Sequence, residues 1–120
     1  MFAVRKSSAA PSDLIDQTVL QGLREIFGPR SATLLARTRQ MVAERVETLG
    51  RMAEAGPDDR LARLAHEIGG MAGQVGMKRL SRDALALERL CRSGDLVEIR
   101  TATAALGKLA AASLAALPRA

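Results

Sequence analysis

Tryptophan and tyrosine are absent from this chain, and its aromatic side chains are Phe2 and Phe27 alone. Single-stranded nucleic acids are held largely by stacking bases on aromatic rings, so that mode of binding has no platform here. One cysteine, Cys91, excludes an internal disulfide and fits a reducing compartment. With one histidine and one cysteine, no ordinary zinc site can be assembled. β-Branched residues are few, which argues against a sheet. No apolar run approaches the ~20 residues needed to span a bilayer. The start, Met1-Phe2-Ala3-Val4-Arg5-Lys6, lacks the apolar core of a secretory signal. A cytoplasmic protein that spans no membrane is the expectation.

What the chain has in quantity is alanine, leucine and arginine. Apolar residues make up 48% of its 120 residues, enough for one domain with a modest core. The net charge is +5, which suits an acidic partner or a nucleic acid. The arginines alternate with Asp and Glu and form no basic cluster, so no nucleic-acid partner is expected. Residues 1–11 read as a flexible arm ending at Pro11, and residues 12–117 as the folded domain.

Apolar spacing predicts five helices. Ser12 or Asp13 can cap the first, whose apolar face is Ile15, Val19, Leu23, Ile26 and Phe27. Gly28-Pro29 stops it. The second runs from about residue 31 to 55, with Leu35, Val42, Val46, Leu49 and Ala53 inside. Gly56-Pro57-Asp58 starts the third, with Pro57 suited to its first turn. The third ends near Gly76, and the fourth spans about 77 to 92, with Cys91 on its inner stripe. Asp95 and Glu98 resemble a capping box that opens the fifth helix, which runs to about residue 116. The fold class is therefore all-α: an antiparallel four-helix bundle with an additional short N-terminal helix. No inward histidine or paired Glu-x-x-His offers a haem or di-metal site, so no cofactor and no metal are expected.

The lone histidine, His66, stands out. Its helix places Leu61, Leu64, Ala65, Ile68, Met71, Ala72 and Val75 on one stripe centred near Ile68. At about 100° per residue, His66 points about 160° from that centre, toward solvent. Gly69, Gly70 and Gly73 follow it on the same face. Each costs roughly 0.8–1 kcal/mol relative to alanine in a helix. A solvated face has no structural need for them. They strip side chains from the surface beside one imidazole, which suits a molecule that must approach the ring closely. Neutral imidazole is a good nucleophile near pH 7. No orienting carboxylate or oxyanion pocket is apparent, so hydrolysis is disfavoured. Accepting a phosphoryl group from a partner that supplies the metal and charge neutralisation fits better.

The segment Ala65-His66-Glu67-Ile68-Gly69-Gly70-Met71-Ala72-Gly73-Gln74-Val75-Gly76 resembles the signature of histidine-containing phosphotransfer (HPt) domains of bacterial phosphorelays. The matched positions are His66, Ile68, Gly70, Ala72 and Gly76, and Leu80, Leu87-Glu88 and Arg92-x-Gly94 match further along. The resemblance implies a phosphoryl carrier, not an enzyme with its own substrate pocket. It implies that His66 is phosphorylated on its outer nitrogen and shuttles phosphate between receiver domains of response regulators or hybrid histidine kinases. Mg2+ is then expected on the receiver. One position departs: the family has Lys or Arg three after the histidine, and this chain has Gly69. Arg63, one turn earlier, and Lys78 or Arg79 are candidates for that role. Gln74 stands where relatives carry a polar amide. The expected partner surface is Ala62, Gly73 and Met77 beside Arg63, Gly69 and Gly70. The chain is expected to act as a monomer. The alternative is a helical interaction protein that binds a receiver or kinase domain without phosphorylation, as inhibitor or scaffold.

Overall fold

The computed structural model describes residues 11–56 and 58–119. A single helical turn, Pro11–Leu14, precedes five helices: α1 (Gln17–Phe27), α2 (Arg30–Ala53), α3 (Asp59–Gln74), α4 (Lys78–Ser93) and α5 (Leu96–Ala116). The arm expected over 1–11 lies outside the described residues except for Pro11, and so does Pro57.

Helices α2 to α5 form the bundle. Each packs on its successor, and α5 closes the ring against α2. Short connections make sequential neighbours antiparallel. Every bundle helix contributes a buried stripe: Leu35, Val42 and Leu49 from α2; Leu61, Ala65, Ile68 and Ala72 from α3; Leu80, Ala84, Leu87 and Cys91 from α4; Ile99, Leu106 and Ala110 from α5. Burial also pushes the Cys91 thiol pKa up, as befits a small core residue.

Arginines tie α2 and α5 at both ends. Arg39 of α2 donates to the carbonyls of Leu117 and Pro118 at 3.1 and 2.9 Å, just past the end of α5. Arg100 of α5 donates to the Glu54 carbonyl at 2.7 Å, just past the end of α2. Each thus satisfies backbone acceptors left over at the end of its antiparallel neighbour. The capping box of α5 is present, with Glu98 N–H on Asp95 at 2.8 Å and Asp95 N–H on Glu98 at 3.3 Å.

The N-terminal region departs from expectation. Neither Ser12 nor Asp13 opens α1. Asp16 caps it instead, accepting from the N–H groups of Thr18 and Val19. The reason is tertiary: the Asp16 N–H donates to the Gly76 carbonyl at 2.7 Å, which holds the chain extended at that point. Leu14 and Ile15 are buried there. Leu20 is the buried residue of α1, and Ile26 is 74% exposed, contrary to its assignment as inner. Phe27 is partly exposed as well. α2 begins two residues after α1 ends, across Gly28 and Pro29, and the two helices touch little beyond that junction.

The α3–α4 pair is the closest in the bundle. Its turn is a Schellman motif: Met77 N–H reaches the Ala72 carbonyl at 2.9 Å and Gly76 N–H the Gly73 carbonyl at 3.2 Å. Gly76 takes φ +85°, and a Cβ there would stand 2.9 Å from the Asp16 carbonyl oxygen, so glycine is required twice over. The face of α3 toward α4 carries Ala62, Ala65, Gly69 and Ala72, all buried. A Cβ on Gly69 would lie 2.8 Å from Leu85 Cδ2, and one on Gly73 3.1 Å from Ser81 Oγ. The Ser81 hydroxyl donates to the Gly69 carbonyl at 2.8 Å. Gly69 is therefore an interface residue and not, as expected, part of the exposed strip.

Alanine at positions 69 and 70 tests this directly. Gly70 has nothing within 4 Å of an added Cβ. Gly70→Ala should stabilise by up to about 1 kcal/mol through helix propensity. Gly69→Ala should destabilise by about 1–2 kcal/mol, because overpacking against Leu85 and Ser81 exceeds that gain. Urea unfolding followed by circular dichroism measures both, and equal shifts would show that position 69 is open.

Candidate functional site

His66 lies midway along α3 with its side chain 66% exposed. It is not at the outward pole of the helix. The buried residues of α3 run from Ala62 through Gly69 and Ala65 to Ile68. At about 100° per residue, Gly69 is only about 60° from His66. The histidine therefore stands at the edge of the seam with α4.

Across that seam is Glu88 of α4. Its Oε1 lies 2.9 Å from His66 Nδ1, and its Oε2 accepts from Arg92 Nη2 at 3.2 Å. The hydrogen bond with His66, and then that with Arg92, holds the Glu88 carboxyl below its usual pKa. An ionised carboxylate only accepts, so Nδ1 carries the proton, and in the neutral ring Nε2 then holds the lone pair. The orienting carboxylate that seemed absent is thus supplied 22 residues later in the chain. A signal for it existed. Ser81 packs on Gly73, Leu85 on Gly69 and Glu88 on His66, and the residue numbers of each pair add to the same total. A helical hairpin whose turn is centred on Met77, next to Gly76, has that register.

Around the ring, Arg63, Glu67, Glu88 and Arg92 line an open concavity of about 340 Å3 with His66. Glu67 is engaged elsewhere, 3.0 Å from Arg45 of α2. The other sequence-selected residues separate. Gly70 and Gly73 are exposed on the His66 face. Ala62 and Met77 are fully buried, so neither can form partner surface. Ala62 faces the α4 seam, and Met77 is the apolar anchor of the Schellman turn. Lys78 and Arg79 line a different recess with Asp13 and Arg82. Gln74 belongs to a groove of about 600 Å3 lined by Phe27, Met41 and Met71, with Arg30 and Arg37 among its walls. Among the described residues, no group of three His, Cys, Asp or Glu could hold a metal ion. No described helix is long and apolar enough to cross a membrane.

The model of the Hpt domain family matches residues 33–117. The chain belongs to that family. It is a histidine phosphotransfer domain, a phosphoryl carrier that works between receiver domains, as the resemblance implied. The chain matches none of the curated proteins and no solved structure. The family match spans α2 to α5, all four helices of the bundle; α1 lies outside it.

Glu88 gives this Hpt domain a defined pH behaviour. A carboxyl whose folded-state pKa is lowered stabilises the fold above its unfolded value, and the gain is lost as pH falls through the folded one. The stability difference between wild type and Glu88→Gln should therefore shrink as pH falls through the carboxylate range and vanish in acid. Nitrogen NMR of the imidazole at neutral pH should show the Nδ1–H tautomer in wild type and lose that bias in Glu88→Ala. An unchanged tautomer would remove Glu88 from the orienting role.

Proposed function

We propose that His66 is the phosphoryl-accepting residue of this Hpt domain, with Glu88 as its positioning residue. The observation that carries the reading is the 2.9 Å contact from Glu88 to Nδ1 on an otherwise exposed ring. It leaves Nε2 as the outward nucleophile. A receiver domain brings its aspartyl phosphate and the Mg2+ that neutralises it. The Nε2 lone pair attacks phosphorus, the P–O bond to aspartate breaks, and the carboxylate leaves with the electron pair. The Nδ1 proton stays in place. The ring becomes a cation, and the Glu88 carboxylate already faces it. Reversal with a second receiver returns the phosphoryl group to an aspartate.

The docking surface consistent with the burial pattern differs from the one expected. It comprises Gly70 and Gly73 beside the ring and the neighbouring groove of Phe27, Met41 and Met71. On the wheel of α3, Gly70 is about 40° from His66 on the side toward Met71. The receiver's acidic pocket would meet His66, with its apolar rim on the groove and Arg30 and Arg37 near its edge. Small, transient contacts suit a relay.

His66→Gln should abolish phosphate acceptance from a phosphorylated receiver and change stability by no more than about 1 kcal/mol, the size of an exposed charge pair. Persistent acceptance, read as acid-labile, base-stable phosphate, would place the site elsewhere. A wild-type chain that binds the receiver but takes no phosphate would favour the inhibitor or scaffold reading.

The surface has its own test. Gly70→Leu and Met41→Glu should each slow transfer from a receiver while leaving phosphorylation by the small donor phosphoramidate unchanged. Undiminished transfer in both would move the docking surface off this face.

A further inference from the structure

We infer that Arg63 and Arg92 together form the cradle for the phosphoryl oxygens on His66, the role the family gives to a basic residue at the position Gly69 occupies. The inference rests on the reading of His66 as acceptor. Position 69 cannot supply a cation in this chain, because its Cβ direction is closed by Leu85 and the Ser81 carbonyl. Lys78 and Arg79 lie in another recess. The cationic side chains on the concavity that holds the ring are Arg63 and Arg92. They come from opposite sides of the seam. Arg63 is one turn before His66 on α3, and Arg92 is one turn past Glu88 on α4. The α3–α4 register brings Arg92 level with the turn that carries Arg63.

Their charges stand differently in the resting state. Arg63 makes no salt bridge within 4 Å among the described residues, although its charge is near enough to help lower the Asp58 pKa. Arg92 is held on the Glu88 oxygen that does not face the ring. Transfer changes what Arg92 meets. The ring gains a positive charge that the Glu88 carboxylate can balance alone, and a dianionic phosphoryl group arrives on Nε2. Arginine presents a planar fork of donors suited to phosphate oxygens. Arg92 then turns from Glu88 toward the phosphoryl group, where Arg63 already lies, while Glu88 stays on Nδ1.

The test is the equilibrium of phosphate between the full chain and a Mg2+-loaded receiver. That constant depends on the free species and is blind to contacts made only during docking. Arg63→Ala and Arg92→Ala should each lower the share on this chain by about two- to fivefold, the size of partly exposed ion pairs. Arg→Lys should restore part of it. The loss from Arg92→Ala should persist in a Glu88→Gln background. Transfer rates that change while the equilibrium holds would make both arginines steering charges and overturn the cradle. A loss for Arg92→Ala that disappears in Glu88→Gln would show that Arg92 acts only by holding Glu88, and would overturn its share. Wild type that takes phosphate with an equilibrium indifferent to both arginines overturns the cradle and leaves His66 as acceptor. Wild type that takes none, from the receiver or from phosphoramidate, overturns both.

Discussion

The close approach of α3 and α4 is the constraint on which the site depends. Small residues on one face of α3 let the α4 backbone come near enough for Ser81 to bond the Gly69 carbonyl. That approach fixes the register of the hairpin, and the register sets Glu88 opposite His66. Widening the seam by one side chain would draw the carboxylate away from the ring. The glycines after the histidine therefore do two jobs. Gly69 brings the helices together, and Gly70 leaves the outer face bare. Gly73 serves both, exposed yet close to Ser81.

The bundle was legible because its signals are local. Apolar spacing marked α2 to α5, and the Asp95–Glu98 box marked the start of α5. The ends fell within about two residues of those observed, the usual scatter of helix boundaries. The first helix was read less well. An apolar stripe says that a face should be covered and not whether anything covers it, and Ile26 has nothing over it. Its true cap, Asp16, is selected by a hydrogen bond to Gly76, a contact between residues far apart in sequence.

The site was legible in its centre and not in its surroundings. His66 drew notice as a single polar residue among glycines. Its place on the helix was misjudged because large apolar residues dominate a hydropathy wheel. Leu64 and Met71 pulled the apparent stripe away from Ala62 and Gly69, which are buried but weakly hydrophobic. For the same reason Ala62 was placed outside. Glu88 and Arg92 come from another helix, and only the antiparallel register brings them to the ring. Gly69 shows the opposite error: a residue read as a missing cation is a packing requirement.

The hydrogen bond from Asp16 to Gly76 reaches beyond the turn it closes. It fastens the start of α1 to the hairpin that carries His66, and α1 ends in Phe27, a wall of the adjacent groove. The groove and the imidazole thereby share one frame, joined through α1 at one end and the α3–α4 turn at the other. The less the span from the groove to His66 has to change when a partner meets the proposed docking face, the less conformational entropy is lost on contact. On the docking face proposed above, discrimination among candidate partners becomes a question of metric fit: the reach from a domain's apolar rim to its aspartate has to match that span.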